Sequence, residues 1–387
     1  MEEMKEIYLD NSATTKTLPE VNDEMMRVLC DSYANPSSLH RLGMKAEKEF
    51  EGAKEVLAKC LSCDPCCIYI TSGATESANI AISGYLDASK RRGKHIICTK
   101  IEHPAVYETI KHAQDNGYEV DWLGVDERGN ISIDEFEKML RTDTVLVCVM
   151  HVNNEVGSVM PIEKLKGIMT KKSPNASLFV DAVQSFGKID IKPEKIGIDM
   201  LCASAHKIHG PKGVGLLYVK KGVRINPTVF GGHQQSNLRS GTENVFGAVG
   251  FASAAKIQKD NIEKNYNHVL MLKKRLCELI KSNICDVVIN GDEDSFAYIL
   301  NVSFPGIKSE ILLHALESKN IYVSTGSACA SNAPSPSRTL LCMGKNKREV
   351  EGAVRFSFCA SNTIAEIEYA SKVVEDEVRN IRKYVRG

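Results

Sequence analysis

Short apolar runs rich in β-branched residues recur along the chain from about residue 68 to 219, each bounded by turn signals. They read as strands: CIYIT (67–71), HIICT (95–99), YEVDWL (118–123), TVLVCVM (144–150), SLFVD (177–181), DMLCAS (199–204) and GLLYV (215–219). Stretches with helical patterning separate several of them, at 75–91, 104–116 and 132–141. Unbroken apolar runs separated by helices predict a mostly parallel sheet covered on both faces. Residues 245–282 read as one long helical stretch leading out of that sheet. Beyond it come YILNVSF (298–304), IYVST (321–325) and AVRFSF (353–358), with helices near 309–319 and 363–384. That mixture predicts a second, smaller α+β domain after the large α/β one.

Composition narrows the class. A chain of 387 residues, 43% hydrophobic and 25% charged, has room for two or three domains of roughly 100–200 residues each. Its 49 basic and 49 acidic side chains cancel, which argues against direct nucleic-acid binding and against an acidic-membrane binder, since both need a basic surplus. No apolar run approaches the roughly 20 residues that span a bilayer. The opening MEEMKEIYLDNSATT is acidic and runs straight into structured sequence, so neither a signal nor a transit peptide is expected, and the location expected is cytoplasmic.

Thirteen cysteines, an odd number scattered over a long chain, predict reduced thiols that are mostly buried as small hydrophobes. Cys60, Cys63, Cys66 and Cys67 have the C-x₂-C-x₂-C spacing of a zinc or iron–sulfur site. No histidine and no fourth spaced ligand lie nearby, so no metal is expected there; Cys60 finishes a helix and Cys67 begins a strand. Cys329 stands apart, in a loop of small residues.

In an open α/β sheet, ligands gather outside the carboxyl ends of the strands. After the first strand come Ser72-Gly73-Ala74-Thr75-Glu76, which either simply start a helix or hold a phosphate on free backbone amides and the Thr75 hydroxyl. Neither a G-x-x-x-x-G-K-[ST] loop nor a G-x-G-x-x-G fingerprint is present, so a nucleotide is not the obvious ligand. The next strand ends lead into Glu102-His103-Pro104, then His151-Val152-Asn153-Asn154-Glu155, then Asp181-Ala182-Val183-Gln184, then Ser204-Ala205-His206-Lys207. Any one of these is a plausible cap or turn. Together they put an imidazole, an amide, a carboxylate and a lysine on one rim, a set that suits pyridoxal 5'-phosphate. A lysine forms a Schiff base with its aldehyde. A carboxylate such as Asp181 keeps the pyridine nitrogen protonated, His103 stacks on the ring, and Ala74, Thr75, Ser204 and His206 hold the phosphate.

The sequence resembles the cysteine desulfurases that supply sulfur for iron–sulfur clusters and thio-modifications. The resemblance is carried by YLDNSATT (8–15), NPSSLHRLG (35–43), TSGATESAN (71–79), EHPAV (102–106), HVNNEVG (151–157), VDAVQSFGK (180–188), SAHKIHGPKGVG (204–215), RSGTEN (239–244), STGSACAS (324–331) and VRFS (354–357). It implies the fold-type I fold of pyridoxal phosphate-dependent transferases. That means a large cofactor domain (15–250), a small α+β domain built from both chain ends (1–14 and 251–387), and a homodimer. It further implies that Lys207 is the Schiff-base lysine, Asp181 the pyridinium partner and His103 the stacking residue. Asn154 and Gln184 would contact the ring substituents, with Ala74, Thr75, Ser204, Ala205 and His206 forming the phosphate site. Thr242 would complete the phosphate site of the other subunit, Arg355, with Asn154, would bind the substrate carboxylate, and Cys329 would receive sulfur.

The implied reaction converts L-cysteine to L-alanine. A persulfide forms on Cys329, and the loop 324–337 carries it to a sulfur-acceptor protein, such as a cluster scaffold or a tRNA-thiolation protein. Three stretches depart from the family pattern: residues 229–235 (VFGGHQQ), Cys359-Ala360 after RFSF, and Asn332-Ala333-Pro334 after Cys329. They remove no catalytic group and bear on acceptor choice and the dimer edge. Two other readings exist, a selenocysteine lyase or related β-lyase and a catalytically silent sulfur carrier. Cys329 argues against the first, and the joint presence of Lys207, His103, Asp181, Arg355 and Cys329 argues against the second.

Overall fold

The computed structural model describes residues 6–325 and 336–385. Its strands, in chain order, begin with β1 (Ile7–Tyr8), β2 (Ile68–Thr71), β3 (His95–Thr99), β4 (Glu119–Leu123) and β5 (Thr144–Met150). Then come β6 (Ser177–Asp181), β7 (Met200–Ser204), β8 (Gly215–Val219), β9 (Val288–Asn290) and β10 (Ile299–Ser303). The last are β11 (Ile321–Tyr322), β12 (Ser324–Thr325) and β13 (Ala353–Ser357). The seven strands expected from the apolar runs all form, within a residue of the expected ends. They make one sheet in the order β2-β8-β7-β6-β5-β3-β4.

The sheet is parallel except for β8, which runs antiparallel to both β7 and β2. Only residues 205–214 join β7 to β8, and a parallel crossover needs about a dozen residues or more. Every residue of β3, β5, β6, β7 and β8 is buried, because helices cover both faces. Each fully buried Leu, Val or Phe there contributes roughly 1.5–3 kcal/mol. On one face, the helices Pro19–Asp31, Arg41–Leu61 and Val245–Asp260 pack on one another and share a core with β2, β6 and β7. On the other, Ala74–Ala88 and Pro104–Asp115 cover Ile96, Cys98, Leu146, Phe179 and Cys202.

The long helical stretch at 245–282 is two helices, Val245–Asp260 and Ile262–Asn283, separated by Asn261 at φ −122°, ψ 11°. The two serve different cores. Ala248, Phe251, Ala254 and Ala255 face the large sheet, whereas Val269, Leu272, Leu276 and Ile280 face a second core shared with the helix Ile364–Val385. A straight helix would present one stripe to one core, so the chain breaks where the core changes. The IYVST run also divides: β11 pairs parallel with β1, and β12 pairs antiparallel with β13. The smaller sheet has the order β12-β13-β10-β9.

Cys60 sits in the last turn of Arg41–Leu61, and Cys67 ends the 3₁₀ turn Pro65–Cys67 that enters β2. The Asp64 side chain caps that turn, accepting from the Cys66 N–H at 2.9 Å. Among the described residues no helix is long and apolar enough to cross a membrane.

Candidate functional site

The carboxyl ends of β2, β3, β5, β6 and β7 share one edge of the large sheet, joined there by the amino end of the reversed β8. A cavity of about 410 Å³ lies at that edge. Its far wall comes from residues 12–14, which follow β1, and from Arg355 of β13. The smaller sheet thus completes a site that the large sheet leaves open.

One end of the cavity is built for an anion. The helix Ala74–Ala88 begins without a side-chain cap, so its first amides remain available where Ala74 and Thr75 border the cavity. Gly215 makes this turn possible, because a Cβ there would lie 2.4 Å from the Gly73 carbonyl carbon. Ser204, His206 and Lys212 line the same end. His206 Nδ1 lies 3.2 Å from Thr14 Oγ1. Burial, then the charges of Lys207, Lys212 and Lys188, push its pKa down to about 4, so its ring is neutral.

Lys207 leaves β7 on a 3₁₀ turn, and its Nζ donates to Ser12 O at 2.6 Å and to Ala13 O at 2.7 Å. Asp181 ends β6, with Oδ1 accepting from the Val183 N–H at 2.9 Å. Burial pushes its carboxyl pKa up, while His103 and Lys207 pull it down. His103 caps the helix Pro104–Asp115, its Nδ1 accepting from the Ala105 N–H at 3.1 Å. That bond places the proton of the neutral ring on Nε2, and burial lowers the ring's pKa. Gln184 donates to Ser12 O at 3.0 Å, and its Oε1 is buried with no partner among the described residues.

On the wall supplied by β13, Arg355 Nη1 donates to Asn154 O at 2.9 Å, and Nη2 pairs with Asp10 Oδ1 at 2.7 Å. The loop bearing Asn154 is braced by Asn153, whose Oδ1 accepts from the N–H groups of Glu155 and Val156. Glu155 in turn accepts from Thr339 at 2.8 Å and from Ser337.

The residues fit pyridoxal phosphate. Uncapped helix amides and hydroxyls match a phosphate, a buried carboxylate matches a pyridinium, and the orphan Gln184 Oε1 is an acceptor of the kind a ring substituent supplies. The lysine and a guanidinium that suits an α-carboxylate border the same cavity. Ten expected residues meet on this cavity: Ala74, Thr75, His103, Asn154, Asp181, Gln184, Ser204, His206, Lys207 and Arg355. Ala205 does not reach it; it is fully buried and its N–H donates to Val214 O. Thr242 is exposed and is not part of this wall. Cys329 lies outside the described residues. Residue-by-residue reasoning missed Asp10, Ser12, Ala13, Thr14, Lys212 and Gly213. Their signal was the YLDNSATT and SAHKIHGPKGVG stretches, but only tertiary contact shows what each touches.

The aminotransferase class-V family matches residues 7–370. The chain is 38% identical to a cysteine desulfurase IscS of Clostridium botulinum over 382 residues, covering 98% of this chain and 96% of the relative. Among solved structures, a NifS-like protein superimposes with a TM-score of 0.92 at 38% identity, covering 97% of this chain and 100% of the other. SspA in complex with cysteine superimposes with a TM-score of 0.81 at 30% identity, covering 92% and 100%.

Proposed function

The chain belongs to the aminotransferase class-V family as a cysteine desulfurase of the IscS/NifS type, and we propose how its residues divide the work. Membership implies a pyridoxal phosphate enzyme that converts L-cysteine to L-alanine with transfer of sulfur. Bound in the cavity, the cofactor would supply a protonated ring that accepts the electron pair released at the substrate's Cα.

Lys207 carries the amine for the cofactor's aldehyde and, once free, takes the Cα proton on Nζ. The Ser12 and Ala13 carbonyls then stabilise the resulting ammonium, and their distances to Nζ support this role. Asp181 keeps the ring nitrogen protonated, and a buried carboxylate gains most from such a cationic partner. His103, its proton on Nε2, would stack on the ring. Asn154 and Gln184 address the ring substituents. Ala74, Thr75, Ser204 and His206 hold the phosphate, aided by Thr242 from a second copy of the chain. Arg355 takes the α-carboxylate, where a planar guanidinium can pair through two hydrogen bonds. The Cys329 thiolate attacks the substrate's sulfur; an S–S bond forms as the Cβ–S bond breaks, the electron pair of that bond goes to Cβ, which takes a proton as alanine forms, and a persulfide is left for an acceptor protein in the cytoplasm. The change of core at Asn261 supports a large cofactor domain and a small domain built from both chain ends.

The meeting of His103, Asp181, Lys207 and Arg355 on the one cavity that the start of the helix Ala74–Ala88 also borders is the observation that carries this reading. The test is the visible absorption of purified protein with pyridoxal phosphate, followed by alanine and sulfide release from L-cysteine under a reductant. Equal alanine and sulfide from a yellow protein is the expected result. A protein that binds no cofactor would overturn it.

A further inference from the structure

Arg355 is only 4% exposed, and a buried guanidinium needs a counter-charge. Asp10, from the opposite end of the chain, supplies it at 2.7 Å. The carboxylate is held in register with the arginine by neighbouring contacts. Asp10 itself bridges Ser357 in parallel, the Asn11 side chain donates to Ser357 O at 3.0 Å, and the Ser12 N–H donates to Ser357 Oγ at 2.9 Å. Since Ser357 lies two residues beyond Arg355 on β13, the backbone beside Asp10 cannot shift without breaking these bonds. The Asn154 carbonyl fixes Nη1, Asp10 fixes Nη2, and among the described residues Nε has no partner.

We propose that Asp10 is a positioning residue that orients Arg355 for the substrate's α-carboxylate, with the unengaged guanidinium donors left to receive it. This rests on the reading of Arg355 as the carboxylate receptor. Pinned on two sides, the guanidinium has one orientation, so the substrate meets a donor pair already aligned. Before substrate arrives the pair is neutral, which lets the arginine stay buried.

The test uses the cofactor-loaded enzyme with Asp10→Ala, Asp10→Asn and Asp10→Glu, beside Arg355→Gln. Two readouts are taken, steady-state kinetics with L-cysteine and calorimetric binding of L-alanine. Asp10→Ala should raise KM and the L-alanine Kd by about tenfold or more, with kcat changed by less than about threefold, because alignment rather than chemistry is lost. Asp10→Asn keeps an acceptor at Nη2 but removes the counter-charge, so it should unfold at lower denaturant than wild type while holding both constants to within about threefold of it. Asp10→Glu keeps the charge but moves it by one methylene and should resemble Asp10→Ala; this decides the matter if Asp10→Ala does not fold. Unchanged or lower KM and Kd in Asp10→Ala and Asp10→Glu would overturn the proposal, as would loss of cofactor absorption in Asp10→Asn. If Arg355→Gln leaves both constants unchanged, the underlying reading of Arg355 fails instead.

Discussion

Glu102 sits beside His103 and is only 2% exposed. Its Oε1 accepts from Thr99 Oγ1 at 2.5 Å and from the Met150 N–H at 2.6 Å, while Oε2 is buried with no partner among the described residues. Burial pushes its pKa from 4.5 up to about 8, and the charge of Asp181 adds to this. Between those two values the folded protein keeps a proton that the unfolded chain has released. The stabilisation from this proton is therefore fully present below pH 4.5 and is lost as pH rises towards 8. Each unit is worth about 1.36 kcal/mol, so the loss is roughly 3 kcal/mol by pH 7.

Glu102→Gln stays neutral at every pH, and its amide oxygen can accept both existing hydrogen bonds. The added N–H costs about 1 kcal/mol if it finds no acceptor. The variant should therefore match wild type, or fall slightly below it, near pH 5, and exceed it by a few kcal/mol near pH 8. Guanidinium unfolding midpoints for both proteins, at fixed protein concentration without cofactor, measure the difference across that range. A variant-minus-wild-type difference that stays flat from about pH 5 to 8 would refute the assignment of a neutral Glu102.

Lys207→Ala should lose the visible absorption of lysine-bound cofactor and cut alanine production by at least about a hundredfold, since it removes the acid–base group; a variant with normal turnover would exclude Lys207 as that group. Cys329→Ser should keep the absorption yet lose the persulfide, detectable by alkylation and mass spectrometry, and sulfide release at the wild-type rate would refute its role. Gly215→Ala drives a Cβ to 2.4 Å from the backbone of Gly73; a stability lower by about 1–3 kcal/mol in denaturant unfolding, with weaker cofactor binding by spectral titration, is expected. Gly167, in the helix Ile162–Lys172, has nothing within 4 Å of its would-be Cβ. Gly167→Ala should therefore stabilise by about 0.5–1 kcal/mol in the same assay, the opposite sign.

Local patterning carried much of this architecture. β3, β5, β6 and β8 span the runs read from the sequence, because a strand buried on both faces is apolar through its middle and its polar residues fall at its ends. The strand-end polar residues were legible for the same reason. The reversal of β8 was not visible in its five apolar residues, which look the same in either direction; the short 205–214 connection decides it. The break at Asn261 was hidden because both flanking segments are good helices, and only their separate cores pull them apart.

The large sheet's strands, the residues at their carboxyl ends and, through the motifs, the class of chemistry all follow from local patterning and residue type. Tertiary structure alone decided what completes the site. Asp10 meets Arg355, and Ser12 and Ala13 meet Lys207, across nearly the whole chain in one case and half of it in the other. No local periodicity records such pairings, since they are set by how two hydrophobic cores dock and by which buried charges must find partners when they do.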